Sequence, residues 1–452
     1  MRAKDYNKLI TIPTKGAIEI NANILNFGAA CDGKTLCSTA IQAAIDACAA
    51  SGGGTVTVPC GKFITGTLWL RDNVELFLSH GAILKASNDL DDYNAEDAYE
   101  QNFSSRANEK WLGKHMIITH ECENVAVCGT GMLDGNGDHF LGEALPYSAY
   151  VWSEGCRTAR DPELCRPGQL LCFIECRHVK VRDITITNQP CWGCFLHGCE
   201  YVSIRGLKTL NPHANFNSDG IDIDCCSFVT ISDCIIDTGD DCIAIRGAEA
   251  RLKNKPHPCE HITISNCVLG SSSCSFRLGV GTGAIRHVRV SNICITRGAP
   301  AICVMSTYNG HGGVSIEDVG FYNVSVTGCA RPFEIVEGAG ASIKDITLEN
   351  FHVETYGYFH LRAAEPGNVS NILLKNWQVV LTDGPSPIVP RDYERRGSVW
   401  FRAENIGDLQ LKDFRVCDAE NRLATWQNGI FSFTGCDVCT LENVFVNDEP
   451  YK

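Results

Sequence analysis

The chain has 452 residues, 44% of them apolar and 20% charged, with a formal net charge of -14 at pH 7. That length can bury a large core, and the composition is that of a globular protein rather than a disordered one. The acidic balance, with no dense Lys/Arg run, excludes a nucleic-acid-binding stripe, and no apolar run of about 18 residues suggests a membrane span.

In chain order, Met1 to Pro13 reads MRAKDYNKLITIP and lacks the apolar stretch of an export signal. With 26 cysteines, this predicts a reducing, cytoplasmic setting in which most remain thiols. The alternative is a chain whose signal has been removed and which carries several disulfides. Cys225, Cys226, Cys234, Cys242 and Cys267 fall at strand-like positions, where a free thiol acts as a small hydrophobe.

Thr39 to Ala50 (TAIQAAIDACAA) places Ile41, Ala44, Ile45 and Cys48 on one side and stops at Ser51-Gly52-Gly53-Gly54, which predicts a short helix. A weak repeat then dominates: CENVAVCGTGMLDG, CRHVKVRDITITN, CEYVSIRGLKTLN, CSFVTISDCIIDT, CEHITISNCVLGS and IRHVRVSNICITR. Taking Val179, Val202, Val229, Ile262 and Val288 as register marks, the steps are about 23, 27, 33 and 26 residues, a solenoid period. Each unit holds short β-branched strands separated by Asn, Asp, Gly or Ser, without helical periodicity. The expected fold is all-β, a single-stranded right-handed parallel β-helix, with the early helix capping its open end. One domain over 1–452 is expected: cap and first coils over about 20–90, remaining coils over about 115–450, and long loops at 89–112, 137–168 and 384–396.

The most informative stretch is Asn217-Ser218-Asp219-Gly220-Ile221-Asp222-Ile223-Asp224, followed by Thr238-Gly239-Asp240-Asp241-Cys242-Ile243-Ala244-Ile245. Asp219 and Asp240 are 21 residues apart, close to one coil, and residues one coil apart sit on strands about 4.8 Å from each other. Asp219 is thus expected beside Asp240 and Asp241. Carboxylates so placed cannot all ionise at their free pKa, and a protonated acid beside ionised ones is what glycoside hydrolysis requires. Asp at β-helix turns also serves simply to bond the backbone, but two acidic motifs in register on adjacent coils favour function over that role.

These motifs resemble the polygalacturonase family, glycoside hydrolase family 28. The similarity extends to NFGAACDGKT and AIQAAIDACAASGGGTVTVPCGKFITGTLWLRDNVELFLSHGAIL, to GTGMLDGNG, and to RPGQLLCFIECRHVKVRDITITNQPCWG. The resemblance implies Asp240 as general acid, Asp219 and Asp241 activating water, inversion at the anomeric carbon, and Asn217 and Asp222 holding the sugar. Two departures stand out. The family's G-H-G motif falls near Gly270 to Gly279, where Ser273 or Cys274 replaces the His; its R-I-K motif falls at Ala301 to Ser306, with Cys303 and Met305 in place of Arg and Lys. In the family those cations are associated with a galacturonate carboxylate on the leaving-group side, so a neutral sugar such as rhamnose is expected there. Alternatively, Arg246, Arg277 or Arg286 supplies the charge from new positions, although each also reads as a solvated surface residue.

Trp192 is a candidate stacking residue and His213 a candidate substrate contact. His257 and His311 sit in similar loop contexts. Cys191-Trp192-Gly193-Cys194, with Cys199 nearby, has CxxC spacing but no second ligand pair, so no metal is expected. Gly279 to Gly283 (GVGTG) reads as a turn, not a phosphate loop. The expected activity is hydrolysis of pectin-derived oligosaccharides, galacturonide or rhamnogalacturonan, from chain ends, without a cofactor and with no nucleic-acid or membrane partner. The rivals are a β-helix lyase or transferase, for which clustered carboxylates would hold Ca²⁺, and a non-catalytic carbohydrate-binding solenoid.

Overall fold

The computed structural model describes residues 20–94, 113–143, 145–146, 155–157, 166–249, 252–253, 256–307, 313–338, 340–383, 399–426 and 429–451. Its strands pair almost entirely in parallel, each with its counterpart one coil earlier and one coil later. The register marks are partners: Val179 pairs with Val202, Val202 with Val229, Val229 with Ile262 and Ile262 with Val288. The chain is a right-handed parallel β-helix.

A typical coil runs through three short strands: Leu171–Ile174, Arg177–Arg182 and Thr185–Thr187. Two-residue turns separate them, so the chain changes direction sharply; in the C-terminal half the segments merge into single strands such as Ala284–Met305. Side chains alternate in and out of the coil, and the inward Val, Ile, Leu, Phe and Cys form one core reaching from Ala22 to Val444. At one corner Asn266, Asn292, Asn323, Asn350 and Asn376 all adopt left-handed backbone, φ between 55 and 64°. Their side-chain amides bond in series, Asn292 to Asn266 at 3.4 Å through Asn376 to Asn350 at 2.8 Å. Asn tolerates this conformation better than other L residues.

The helix spans Ser38–Ala50 and buries Ile41, Ala44, Ile45 and Cys48, the face read from sequence. It packs on the first strands, Ile20–Asn23 and Gly54–Val58, and so covers core that would otherwise be open. At the opposite end Glu449–Pro450 folds back antiparallel on Val438–Val446 and blunts the last edge. The 137–168 segment is not wholly irregular: it contains a helical turn, Gly137–Phe140, and an antiparallel pair, Leu145–Pro146 with Gly155–Cys156. The 384–396 segment and most of 89–112 lie outside the described residues. The cysteines whose side chains are described, from Cys31 to Cys439, are free thiols. No described helix is long and apolar enough to cross a membrane.

Candidate active site

The acidic motifs lie where the third strand of one coil turns into the first strand of the next. Backbone bonds from Gly193 N–H to Asp219 O (2.8 Å), from Gly220 N–H to Asp241 O (2.9 Å) and from Cys242 N–H to Cys274 O (2.9 Å) carry the register of the following strands back through these turns. Trp192, Asp219, Asp241 and Cys274 therefore occupy equivalent positions on four successive coils. The fit is tight: a Cβ on Gly220 would lie 2.5 Å from Cys242 O, and one on Gly239 2.2 Å from Asn215 O.

One carboxylate oxygen from each of Asp219, Asp240 and Asp241 lies within 4.8 Å of the other two, and the three groups are bonded differently. Asp240 accepts from Asn217 N–H (3.1 Å, Oδ2) and Asp241 N–H (3.0 Å, Oδ1). Burial, then the Asp241 charge, lift it to about 7, with Arg277, Ser273 and Asn217 pulling the other way. Asp219 is buried, and its Oδ1 has no hydrogen-bond partner among the described residues. Burial and the neighbouring charges of Asp240, Asp222 and Asp241 push it well up, against Arg246. Asp241 is bonded most richly. Ser273 Oγ–H (3.0 Å) and Cys274 N–H (3.1 Å) donate to its Oδ1, and Arg277 grips both oxygens, through Nε to Oδ2 and Nη2 to Oδ1 (3.3 Å).

A second charged layer lies beside the first. Arg246 stands 3.7 Å from Asp222 Oδ1 and 3.4 Å from Asp224 Oδ2, with its guanidinium 4.6 Å over the Trp192 ring. Burial pushes Asp224 up, but His197, Arg246 and the Ala248 N–H outweigh it and hold Asp224 at about 2. Asp222 is fully buried, and neither oxygen has a hydrogen-bond partner among the described residues; burial drives it well up despite Arg246. Burial alone would lower Arg246, but Asp224, Asp222 and Asp219 raise it above the ordinary arginine value.

The structure thus gathers Asp219, Asp240, Asp241, Asn217, Asp222, Arg246, Arg277, Cys274 and Trp192. The surface reading of two arginines is corrected: the side chains of Arg246 and Arg277 are only 16% and 13% exposed, because each is drawn inward onto carboxylates. Arg286 instead pairs with Glu260 on another strand column. His213 is held by Asp237 (2.8 Å) and Arg297 rather than by the carboxylate trio. His257 stands 3.8 Å from Glu200, and His311 lies outside the described residues. Cys303, at the expected Arg position, is buried, with Sγ 3.9 Å from Glu334 Oε2; Glu334 is in turn 3.3 Å from both Arg331 and His360.

Arg166, His197 and Asp224 were not singled out from sequence. Arg166 is fully buried and reaches Pro190 O, Phe216 O (2.9 Å) and Asn217 Oδ1 (2.6 Å), fixing the residue whose N–H serves Asp240. Asp224 had a signal in its i+2 spacing from Asp222, which puts both on the outer face of one strand.

For a cation, the trio's oxygens converge closely enough, but those of Asp241 are already taken by Arg277, Ser273 and Cys274, so the positive charge beside it is the protein's own. The other convergent group among the described residues is His120, Glu121 and Glu175, where Lys253 contacts Glu121 through its ammonium and Glu175 through its N–H (2.8 Å). Cys191 and Cys194 are buried and join no convergent ligand group among the described residues. What remains is an acid poised near neutrality beside an ion-paired carboxylate, a pairing suited to protonating one oxygen while polarising water at another.

Comparison with known proteins gives concordant matches. The family model described as Glycosyl hydrolases family 28 matches residues 90–372. An exo-poly-alpha-D-galacturonosidase of Dickeya chrysanthemi is 28% identical over 443 residues, covering 90% of this chain and 70% of that protein. A probable polygalacturonase of Vitis vinifera is 28% identical over 236 residues, covering 50% of this chain and 44% of that one. Among solved structures, an exopolygalacturonase from Thermotoga maritima aligns with a TM-score of 0.64 at 22% identity, covering 98% of this chain and 95% of that one.

Proposed function

Because the chain belongs to family 28 of the glycosyl hydrolases, we propose that it hydrolyses glycosidic bonds in pectin-derived oligosaccharides, of galacturonide or rhamnogalacturonan type, releasing sugars from a chain end. One observation carries the reading: three carboxylates converge within 4.8 Å, and Asp240 among them is lifted to about 7. Asp240 donates its proton to the leaving glycosidic oxygen. Asp219, and Asp241 through the Oδ2 that only Arg277 Nε holds among the described residues, accept hydrogen bonds from the attacking water, while Asp222, Asn217, Arg246 and Trp192 bound the space for the sugar. The exo-activities for which the Dickeya relative and an exopolygalacturonase of Zea mays, 23% identical over 374 residues, are named support chain-end action. The free thiols support a reducing, cytoplasmic setting.

Inversion is the expected stereochemistry, with water held jointly by Asp219 and Asp241. Proton NMR of the first-formed anomer tests this: β product from an α-linked galacturonide supports inversion, and α product would contradict it.

A further inference from the structure

We infer that Arg277 is a positioning residue whose guanidinium clamps Asp241 in place beside Asp240 and so keeps the acid's role on Asp240. The inference rests on the hydrolase reading above and adds what divides the labour among three similar carboxylates.

The geometry is that of a fork on a carboxylate. Nε and Nη2 of Arg277 take the two oxygens of Asp241, and Nη2 also reaches Cys274 Sγ at 3.1 Å. Such paired N–H bonds fix orientation as well as charge. Ser273 Oγ–H and Cys274 N–H complete the ring of donors on Asp241. Among the described residues Asp219 has no such set, and the Asp240 oxygens accept from two backbone N–H groups, with Ser273 close by, and carry no cation. Arg277 comes from the strand Phe276–Gly281, one coil beyond Asp241, where it pairs in register with Ala244 before it and Cys303 after it. Cys303 at that next place brings no cation and leads on to Glu334, so Arg277 is the cation on this line of residues nearest the catalytic turn.

The groups facing the pair are Asp219 and Asp222 from the preceding coil, Arg246 from the same coil, Cys274 and Cys303 from the following coils, and Asp237, His213 and Arg297 at the rim. Of these, Arg246 is held by Asp222 and Asp224, and Arg297 by Asp237, so neither replaces Arg277 on Asp241. Arg277 also opposes the rise of the Asp240 acid. Its loss therefore leaves Asp241 without its cation and makes Asp240 harder to deprotonate.

The test uses the full chain as Arg277→Met and Arg277→Lys. In the pH profile of kcat, Arg277→Met is expected to move the alkaline limb up by about one unit and lower the maximum by about tenfold or more. Arg277→Lys moves it less, and added guanidinium partly restores Arg277→Met. Carboxyl carbon NMR with labelled Asp, assigned with Asp240→Asn, follows the same titration without substrate and so stands whatever the protein cleaves. A raised KM with unmoved limbs would make Arg277 a substrate-binding residue and overturn the inference. So would a resonance of Asp240 that titrates identically in wild type and in folded Arg277→Met.

Discussion

Replacing Asp240 by Asn separates catalysis from stability in opposite directions. In the folded chain the Asp240 acid lies at about 7, against 3.8 for the free group. The folded state thus holds the proton more tightly than the unfolded one, and this favourable contribution is complete at low pH. It is lost as pH rises from about 3.8 through about 7. The shift corresponds to about 4 kcal/mol at pH 8, an upper bound because Asp219 and Asp222 compete for the same proton. Asn cannot ionise, but its amide replaces one of two accepting oxygens, which costs about 1–2 kcal/mol. Asp240→Asn should therefore unfold at higher denaturant than wild type at pH 8, by about 2 kcal/mol, and at equal or lower denaturant at pH 4. Activity falls at least a thousandfold at both. Chemical denaturation followed by tryptophan fluorescence at the two pH values reads the effect. A variant no more stable relative to wild type at pH 8 than at pH 4 would refute the partly buried, proton-holding acid.

Arg166→Lys cannot keep three separate contacts with Pro190, Phe216 and Asn217, so kcat should drop about tenfold or more with the coil intact by circular dichroism. Arg246→Met strands Asp222 and Asp224 without their cation and should destabilise the fold by about 3 kcal/mol near neutral pH, read by urea titration. Asn350→Ala breaks amide bonds to Asn323 and Asn376 at a φ of 64°, for about 2–3 kcal/mol; Asn350→Gly should recover part of it by relieving the backbone.

The coil register was legible because inward Val and Ile recur at the same place in each coil, so Val179 through Val288 could be aligned without knowing the turns. The acidic cluster was legible because Asp219 and Asp241 each stand two residues before a buried strand. The residue column pairs Asp219 with Asp241; Asp240, one residue earlier, reaches the same space from the turn. What sequence did not reveal depends on long side chains crossing between coils of unequal length. Arg277 and Arg246 read as solvated because a strand-borne Arg usually points to water; only the stacked carboxylates draw them in. Arg166 follows a stretch of sequence in which the coil repeat lapses, and nothing in the local pattern tells that it reaches the carbonyl of Pro190 and the side chain of Asn217.

The most direct test of the central claim is a product analysis on oligogalacturonides and rhamnogalacturonan fragments, with wild type and Asp240→Asn, each with and without EDTA. The account predicts a saturated product released stepwise from chain ends by wild type, undiminished by EDTA and absent with Asp240→Asn. An unsaturated product absorbing in the ultraviolet, or cleavage that survives in Asp240→Asn, would contradict it.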